Sequence, residues 1–208
     1  MSFSRHKRIG IYAGTFNPVH AGHIAFALQA VKTGKLDRLY FLPERRPRHK
    51  HGVEHYAHRI AMLRAAVRPY PRLEVLETDD ISFTVRRTLP DLQLRFPGAR
   101  LAFLVGSDVV PYIPEWPLAE RLLASSELIV GLRDNASEAH LQTTLDAWRP
   151  KPQHVTFIQS HAPDVSSHKI REALAARSHV RGLLASVARY SNRHWLYVSL
   201  VKIAVDKA

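Results

Sequence analysis

The sequence predicts an α/β protein built on a doubly wound, mainly parallel sheet, with helices in its C-terminal part. Three observations carry this. Short, continuously apolar segments alternate with stretches of helical spacing along most of the chain, as expected for strands that crossover helices bury on both faces. The first such segment runs into a glycine-flanked loop and then a helix, the place where open α/β sheets hold ligands. No linker-like stretch, repeat or low-complexity segment divides the 208 residues, so a single domain over 1–208, with its helical C-terminal part at roughly 165–208, fits the length.

In chain order, Arg8 to Ala13 (RIGIYA) reads as a strand, and Ala21 to Val31 as a helix ended by the Thr33-Gly34 break. Asp37 to Leu42 is a second strand, stopped by Pro43, and Glu54 to Val67 carries Ile60, Leu63 and Val67 at helical spacing. Leu73 to Leu76 and Leu101 to Val105 are further strands. Between them, Pro90 requires that a helix over Thr84 to Phe96 either kink or begin near Thr88. Leu118 to Ala124 reads as a helix, Glu127 to Leu132 as a strand, Ala139 to Trp148 as a helix and Val155 to Gln159 as a strand. Helices over Ser167 to Ala176 and Arg181 to Arg193 follow, and Tyr197 to Val205 fits strand or helix equally well.

Composition narrows the function. Thirty Lys+Arg, 22 of them arginine, against eighteen Asp+Glu give a net charge of +12, which calls for an anionic partner or a highly solvated surface. The cations are dispersed, with one dense cluster at Arg45, Arg46, Arg48, His49, Lys50 and His51. The absence of cysteine excludes a disulfide scaffold, a thiolate nucleophile and Cys-ligated metal. No apolar run approaches the ~18–20 residues of a membrane helix. A soluble, cytoplasmic protein with no membrane partner is expected. His51, His55 and His58 fall on one helical face, but histidines on a solvated basic helix explain that spacing without a metal.

The loop after the first strand holds the candidate chemistry. It reads Gly14-Thr15-Phe16-Asn17-Pro18-Val19-His20-Ala21-Gly22-His23. Gly14 lets backbone amides approach an anion, and the free N–H groups and positive end of the following helix favour phosphate. His20 and His23, three residues apart, share a face at that helix end and can donate to a phosphoryl group as charge develops on it. GxxxxGK[ST] and GxGxxG are both absent, which argues against a P-loop and an ordinary dinucleotide fold.

GTFNPVHAGH resembles the GTFDPxHxGH motif of the HxGH nucleotidyltransferase superfamily, and Val165-Ser166-Ser167-His168-Lys169-Ile170-Arg171 resembles its ISSTxIR motif. Ser166 or Ser167 can cap a helix facing phosphate, with Arg171 one turn further on. Four more segments are similar to the nicotinate mononucleotide adenylyltransferase family. They are Pro43 to Lys50, Ser82-Phe83-Thr84-Val85, Gly106-Ser107-Asp108 with Ile113-Pro114-Glu115-Trp116, and Val187 to Tyr197.

The resemblance implies a Rossmann-like nucleotidyltransferase fold and transfer of AMP from ATP to nicotinate mononucleotide, giving deamido-NAD and pyrophosphate. It implies magnesium on the ATP phosphates, with no metal held by protein side chains alone. By resemblance, His20 and His23 are catalytic and contact ATP phosphates, and Gly14, Thr15 and Phe16 supply loop contacts. Gly106 and Asp108 face the ATP ribose, and Ser166, Ser167 and Arg171 hold the triphosphate. Asn17, Lys50, Ser82, Phe83, Thr84 and Trp116 serve the acceptor, with Trp116 stacking on the pyridine ring and 82–84 offering backbone donors to its carboxylate.

This chain departs from the family pattern at several places. Asn17 replaces Asp, Arg48 replaces Pro, His168 replaces Thr, and Arg86-Arg87 stand where an acidic residue usually follows. The choice among nicotinate mononucleotide, nicotinamide mononucleotide and another phosphorylated acceptor stays open, although added cations favour a carboxylate. A non-catalytic RNA-binding relative is the alternative of a different class. Small-molecule partners are expected rather than nucleic acid, and a homo-oligomer is left open.

Overall fold

A computed structural model describes residues 7–48, 50–132, 136–159 and 165–198. Its strands are β1 (Arg8–Gly14), β2 (Arg38–Pro43), β3 (Leu73–Val75), β4 (Arg100–Gly106), β5 (Ser126–Leu132) and β6 (Val155–Gln159). They form one sheet in the order β3-β2-β1-β4-β5-β6, every neighbouring pair parallel. The chain therefore starts in the middle, winds out to β3, returns to lay β4 beside β1, and winds out to β6. That reversal opens a crevice beyond the carboxyl ends of β1 and β4.

The helices are α1 (Ala21–Thr33), α2 (Tyr56–Val67), α3 (Thr88–Arg95), α4 (Ala119–Ser125), α5 (Glu138–Asp146), α6 (Ser167–Ala175) and α7 (Ala185–Arg193). Two apolar clusters cover the two faces of the sheet. Leu101 and Phe103 of β4 belong to one, with residues of α3, α4 and α5, while Ala102 and Leu104 belong to the other, with α1, α2 and α7. This is the alternation of successive side chains across a sheet, with both faces buried. The expected doubly wound architecture is present.

The element boundaries differ from expectation where glycine and proline act at a distance from any periodic pattern. α3 does start at Thr88, as one of the two expected alternatives had it, so Pro90 falls in the first turn, where no intrahelical N–H is lost. A 3₁₀ turn over Val110–Glu115, with prolines at 111 and 114, was not expected from the sequence. α7 begins at Ala185 rather than Arg181. There Gly182 adopts φ +89°, and its carbonyl accepts the Ala21 N–H of α1 at 2.9 Å. The strand-or-helix segment Tyr197 to Val205 lies mostly outside the described residues, and Tyr197 itself takes φ +63°.

A Cβ at position 182 would overlap both methyl groups of Val165 and would have to adopt a left-handed backbone. Gly182→Ala should therefore cost about 1–3 kcal/mol, read as a lower midpoint of urea unfolding.

Candidate active site

The crevice beyond β1 and β4 is a cleft of about 510 Å³. It continues into a second lobe of about 420 Å³, and Ala13, Gly14, Phe83 and Trp116 line both. The loop after β1 forms its floor. Phe16 takes φ +49°, an uncommon conformation for a bulky residue, and its ring is 2% exposed. Tyr12 and Phe41 pack edge-on against that ring at centroid distances of 5.3 Å each, contacts that offset the backbone strain. Any contact of Phe16 with a ligand falls to its backbone, because the side chain belongs to the core.

His20 is the N-cap of α1. Its Nδ1 accepts the His23 N–H at 3.3 Å, and His23 Nδ1 accepts the His20 N–H at 3.2 Å, a reciprocal capping box made of two imidazoles. The rings stack with centroids 3.6 Å apart and planes at 26°. With Nδ1 accepting from backbone in both, the neutral rings carry their proton on Nε2. His23 lines the cleft and His20, 5% exposed, lies behind it. Gly182 and His20 take three first-turn amides, at Ala21, His23 and Ile24. Gly22 N–H is left as the open donor of that turn among the described residues.

The second motif is bound to the first. Ser166 caps α6 by accepting the Lys169 N–H at 3.3 Å. Ser167 Oγ donates to the Pro18 carbonyl at 2.9 Å, and Arg171 donates through Nη1 to the Asn17 carbonyl at 2.8 Å. Ser167 and Arg171 line the cleft and Ser166 does not. His168 is exposed and pairs with Glu172 along the helix.

Asn17 is 4% exposed and bonded through both its side-chain oxygen and nitrogen. Its Oδ1 accepts the Glu54 N–H at 3.2 Å and the Tyr197 hydroxyl at 2.8 Å, and its Nδ2 reaches the Gly52 carbonyl at 3.4 Å. A carboxylate could not make the last of these contacts. Burial pushes the Tyr197 hydroxyl well above the ordinary tyrosine range, so it stays protonated and donates. Lys50 Nζ donates to Thr15 Oγ1 at 2.9 Å on the cleft wall. Gly106 and Asp108 line the same wall at the end of β4. Trp116 closes the 3₁₀ turn 6.2 Å from the Phe83 ring. Thr84 lines the second lobe, and Ser82 is buried and lines neither lobe.

The residue most important to this geometry was missed by the sequence reading. Arg59 of α2 is 1% exposed. Its Nη1 donates to the Thr15 carbonyl at 2.6 Å, Nη2 to the Glu44 and Arg45 carbonyls at 2.8 and 3.0 Å, and Nε to the Glu54 carbonyl at 2.9 Å. It also lies over the Tyr56 ring at 5.4 Å. One guanidinium thus joins the loops after β1 and β2 to the start of α2. Burial pulls its pKa below the usual value, but a guanidinium keeps its proton. The trace of Arg59 in the sequence is only that it falls in helical phase with Met62, Leu63 and Ala66, which the helix buries. His58, on the same helix, meets the Tyr190 hydroxyl at 3.1 Å and so serves the α2–α7 contact.

The family model described as cytidylyltransferase-like matches residues 11–173, so fold and cleft together define a nucleotidyltransferase of that class. A probable nicotinate-nucleotide adenylyltransferase of Neisseria meningitidis is 31% identical over 198 residues, 92% of this chain and 98% of the relative. The nicotinate-nucleotide adenylyltransferase of Bacillus subtilis is 30% identical over 200 residues, covering 93% and 100%. A Plasmodium falciparum nicotinic acid mononucleotide adenylyltransferase, solved in complex with NaAD, superposes with a TM-score of 0.77 at 17% identity, over 92% of this chain and 98% of that one. The chain belongs to the nicotinate-nucleotide adenylyltransferase family.

Two outcomes follow from the buried contacts. Arg59→Met strands four carbonyls and should lower unfolding free energy by about 3 kcal/mol or more, with Arg59→Lys recovering only part, both read by urea denaturation. The Tyr197 pKa is raised in the folded state above an unfolded value of about 10. Its contribution to stability is therefore complete below that pH and is lost as pH rises further. Tyr197→Phe should flatten part of this alkaline decline in melting temperature.

Proposed function

We propose that the chain uses this cleft to transfer AMP from ATP to nicotinate mononucleotide, forming deamido-NAD and pyrophosphate. The observation that carries the reading is the stacked His20–His23 pair at the N-terminus of α1, which presents His23 to a two-lobed cleft. Family membership supports the chemistry, as do fold neighbours solved with NaAD and with APC.

The acceptor's 5′-phosphate oxygen attacks the α-phosphorus of ATP. A P–O bond forms there while the bridge to the β-phosphorus breaks, and pyrophosphate leaves with the electron pair. The nucleophile arrives already anionic, so the protein need not supply one, and catalysis reduces to alignment and charge stabilisation. His23 Nε2 and the Gly22 amide stabilise charge developing on the phosphoryl oxygens, and His20 orients His23 through the reciprocal cap. Gly14, Thr15 and Phe16 contribute backbone contacts. Ser167 and Arg171, on the helix that Ser166 caps, hold the outer phosphates, while Gly106 and Asp108 face the ribose. In the second lobe Trp116 and Phe83 receive the pyridine ring, with Thr84 on its wall. Lys50 meets a substrate phosphate, and Asn17 positions the loop around it.

Magnesium fits a site of this kind, because it rides on the triphosphate and needs few protein oxygens. Asp108 and Ser167 are the candidates on the cleft wall, since Thr15 Oγ1 already accepts from Lys50, and the ion would neutralise charge on the leaving group. The reading is of a cytoplasmic, single-domain enzyme acting on small molecules. Among the described residues no helix is long and apolar enough to cross a membrane.

Pyrophosphate release should be observed with ATP, magnesium and nicotinate mononucleotide, and His23→Ala should reduce kcat by roughly 10²–10³-fold. No release by the wild-type chain, or near-wild-type turnover by His23→Ala, would contradict the proposal.

A further inference from the structure

The second lobe holds an excess of positive charge that adenylyl transfer itself does not use. Its wall is the segment between β3 and α3, braced against the loop after β2. Arg46 N–H donates to the Ile81 carbonyl at 2.9 Å, and Arg45 Nε to the Thr78 carbonyl at 2.9 Å. Two of the three backbone donors that the resemblance offered to a carboxylate, at 83 and 84, are engaged within the protein. Phe83 N–H points at Glu44 Oε1 at 3.3 Å, and Thr84 N–H at Thr88 Oγ1 at 3.0 Å. The Thr88 hydroxyl donates in turn to Asp80 at 2.8 Å.

Three arginines line the lobe, at positions 48, 86 and 87, together with a single carboxylate, Glu44. Arg87 is neutralised by Asp80 at 2.9 Å, and Glu44 faces the Phe83 amide. Arg48 and Arg86 are exposed, and neither has a hydrogen-bond or ion-pair partner among the described residues. An anion entering this lobe meets two uncommitted guanidinium groups, while two of the amides that would otherwise read it are already engaged. Guanidinium recognises carboxylate as a charged, two-pronged partner and gains far less from a neutral carboxamide.

We propose that Arg48 and Arg86 set the acceptor specificity of this chain, reading the ring carboxylate of the acid mononucleotide by charge. The assignment rests on the reading of the acceptor as a pyridine mononucleotide. Both residues stand where the resemblance sets other residue types, Pro at 48 and an acidic residue at 86–87. The competing use of the same groups is to hold the 5′-phosphate, which acid and amide mononucleotides share. In that case both ligands would weaken together.

The test titrates the wild-type chain and the variants Arg48→Gln, Arg86→Gln, the double variant and Arg86→Lys with nicotinate mononucleotide and nicotinamide mononucleotide. Binding is followed by tryptophan fluorescence, and pyrophosphate release is measured in parallel. The acid-to-amide affinity ratio should fall by about tenfold or more in the double variant, with Arg86→Lys retaining part of the preference. In the wild type, acid binding should weaken with salt more steeply than amide binding. An unchanged ratio, or equal weakening of both ligands, overturns the assignment. If the binding preference is present and is lost in the double variant while no pyrophosphate forms, the assignment stands and the adenylyl-transfer reading falls.

Discussion

The loops after β1 and β2 and the entry to α2 share one anchor, the buried Arg59 guanidinium. It satisfies carbonyls on the loops after β1 and β2 and at the entry to α2, that of Thr15 in a buried bond and the others in part-buried ones, and a buried carbonyl without a partner is costly. No carboxylate is among these acceptors, so the charge is spread over peptide dipoles rather than concentrated in one ion pair. A planar fork with five donors can do this and an ammonium cannot. Asn17 extends the tie on the other side of the loop, reaching residues 52 and 54 through its amide and receiving Tyr197 and Arg171 from the C-terminal part. These bonds tie the floor to the loop after β2, to α6 and to Tyr197.

These ties matter because the proposed chemistry asks the protein for placement. The capping box between His20 and His23 fixes both rings and both tautomers with backbone donors. Ser167 and Arg171 reach the carbonyls of Pro18 and Asn17 in the same loop. Groups from sequence positions about 150 apart therefore share one floor. Electrostatic stabilisation of a transition state is largest when such dipoles are held before the reaction begins.

The sheet was legible in the sequence because continuous apolar runs such as LAFLV and ELIVGL have few other destinations in a chain of this length. The first loop was legible because its function is local, with a strand end, a glycine, a helix start and two histidines inside ten residues. Arg59 was not, since its partners lie in three separate segments and its burial appears only when those segments meet. Nor could spacing reveal that the amides of Phe83 and Thr84 are committed to Glu44 and Thr88. The 3₁₀ turn at 110–115 and the late start of α7 escaped for a similar reason. In both, the chain direction is set by proline or by a left-handed glycine packed against a distant residue.

The central claim is that the His20–His23 end of α1 and the capped end of α6 bind one triphosphate between them. A crystal structure with a non-hydrolysable ATP analogue tests it most directly. The account predicts the α-phosphate beside His23 Nε2 and the Gly22 amide, the outer phosphates toward Ser167 and Arg171, and the second lobe empty beside Trp116. An analogue seated with its phosphates in the Arg48–Arg86 lobe, or away from α1 altogether, would contradict it.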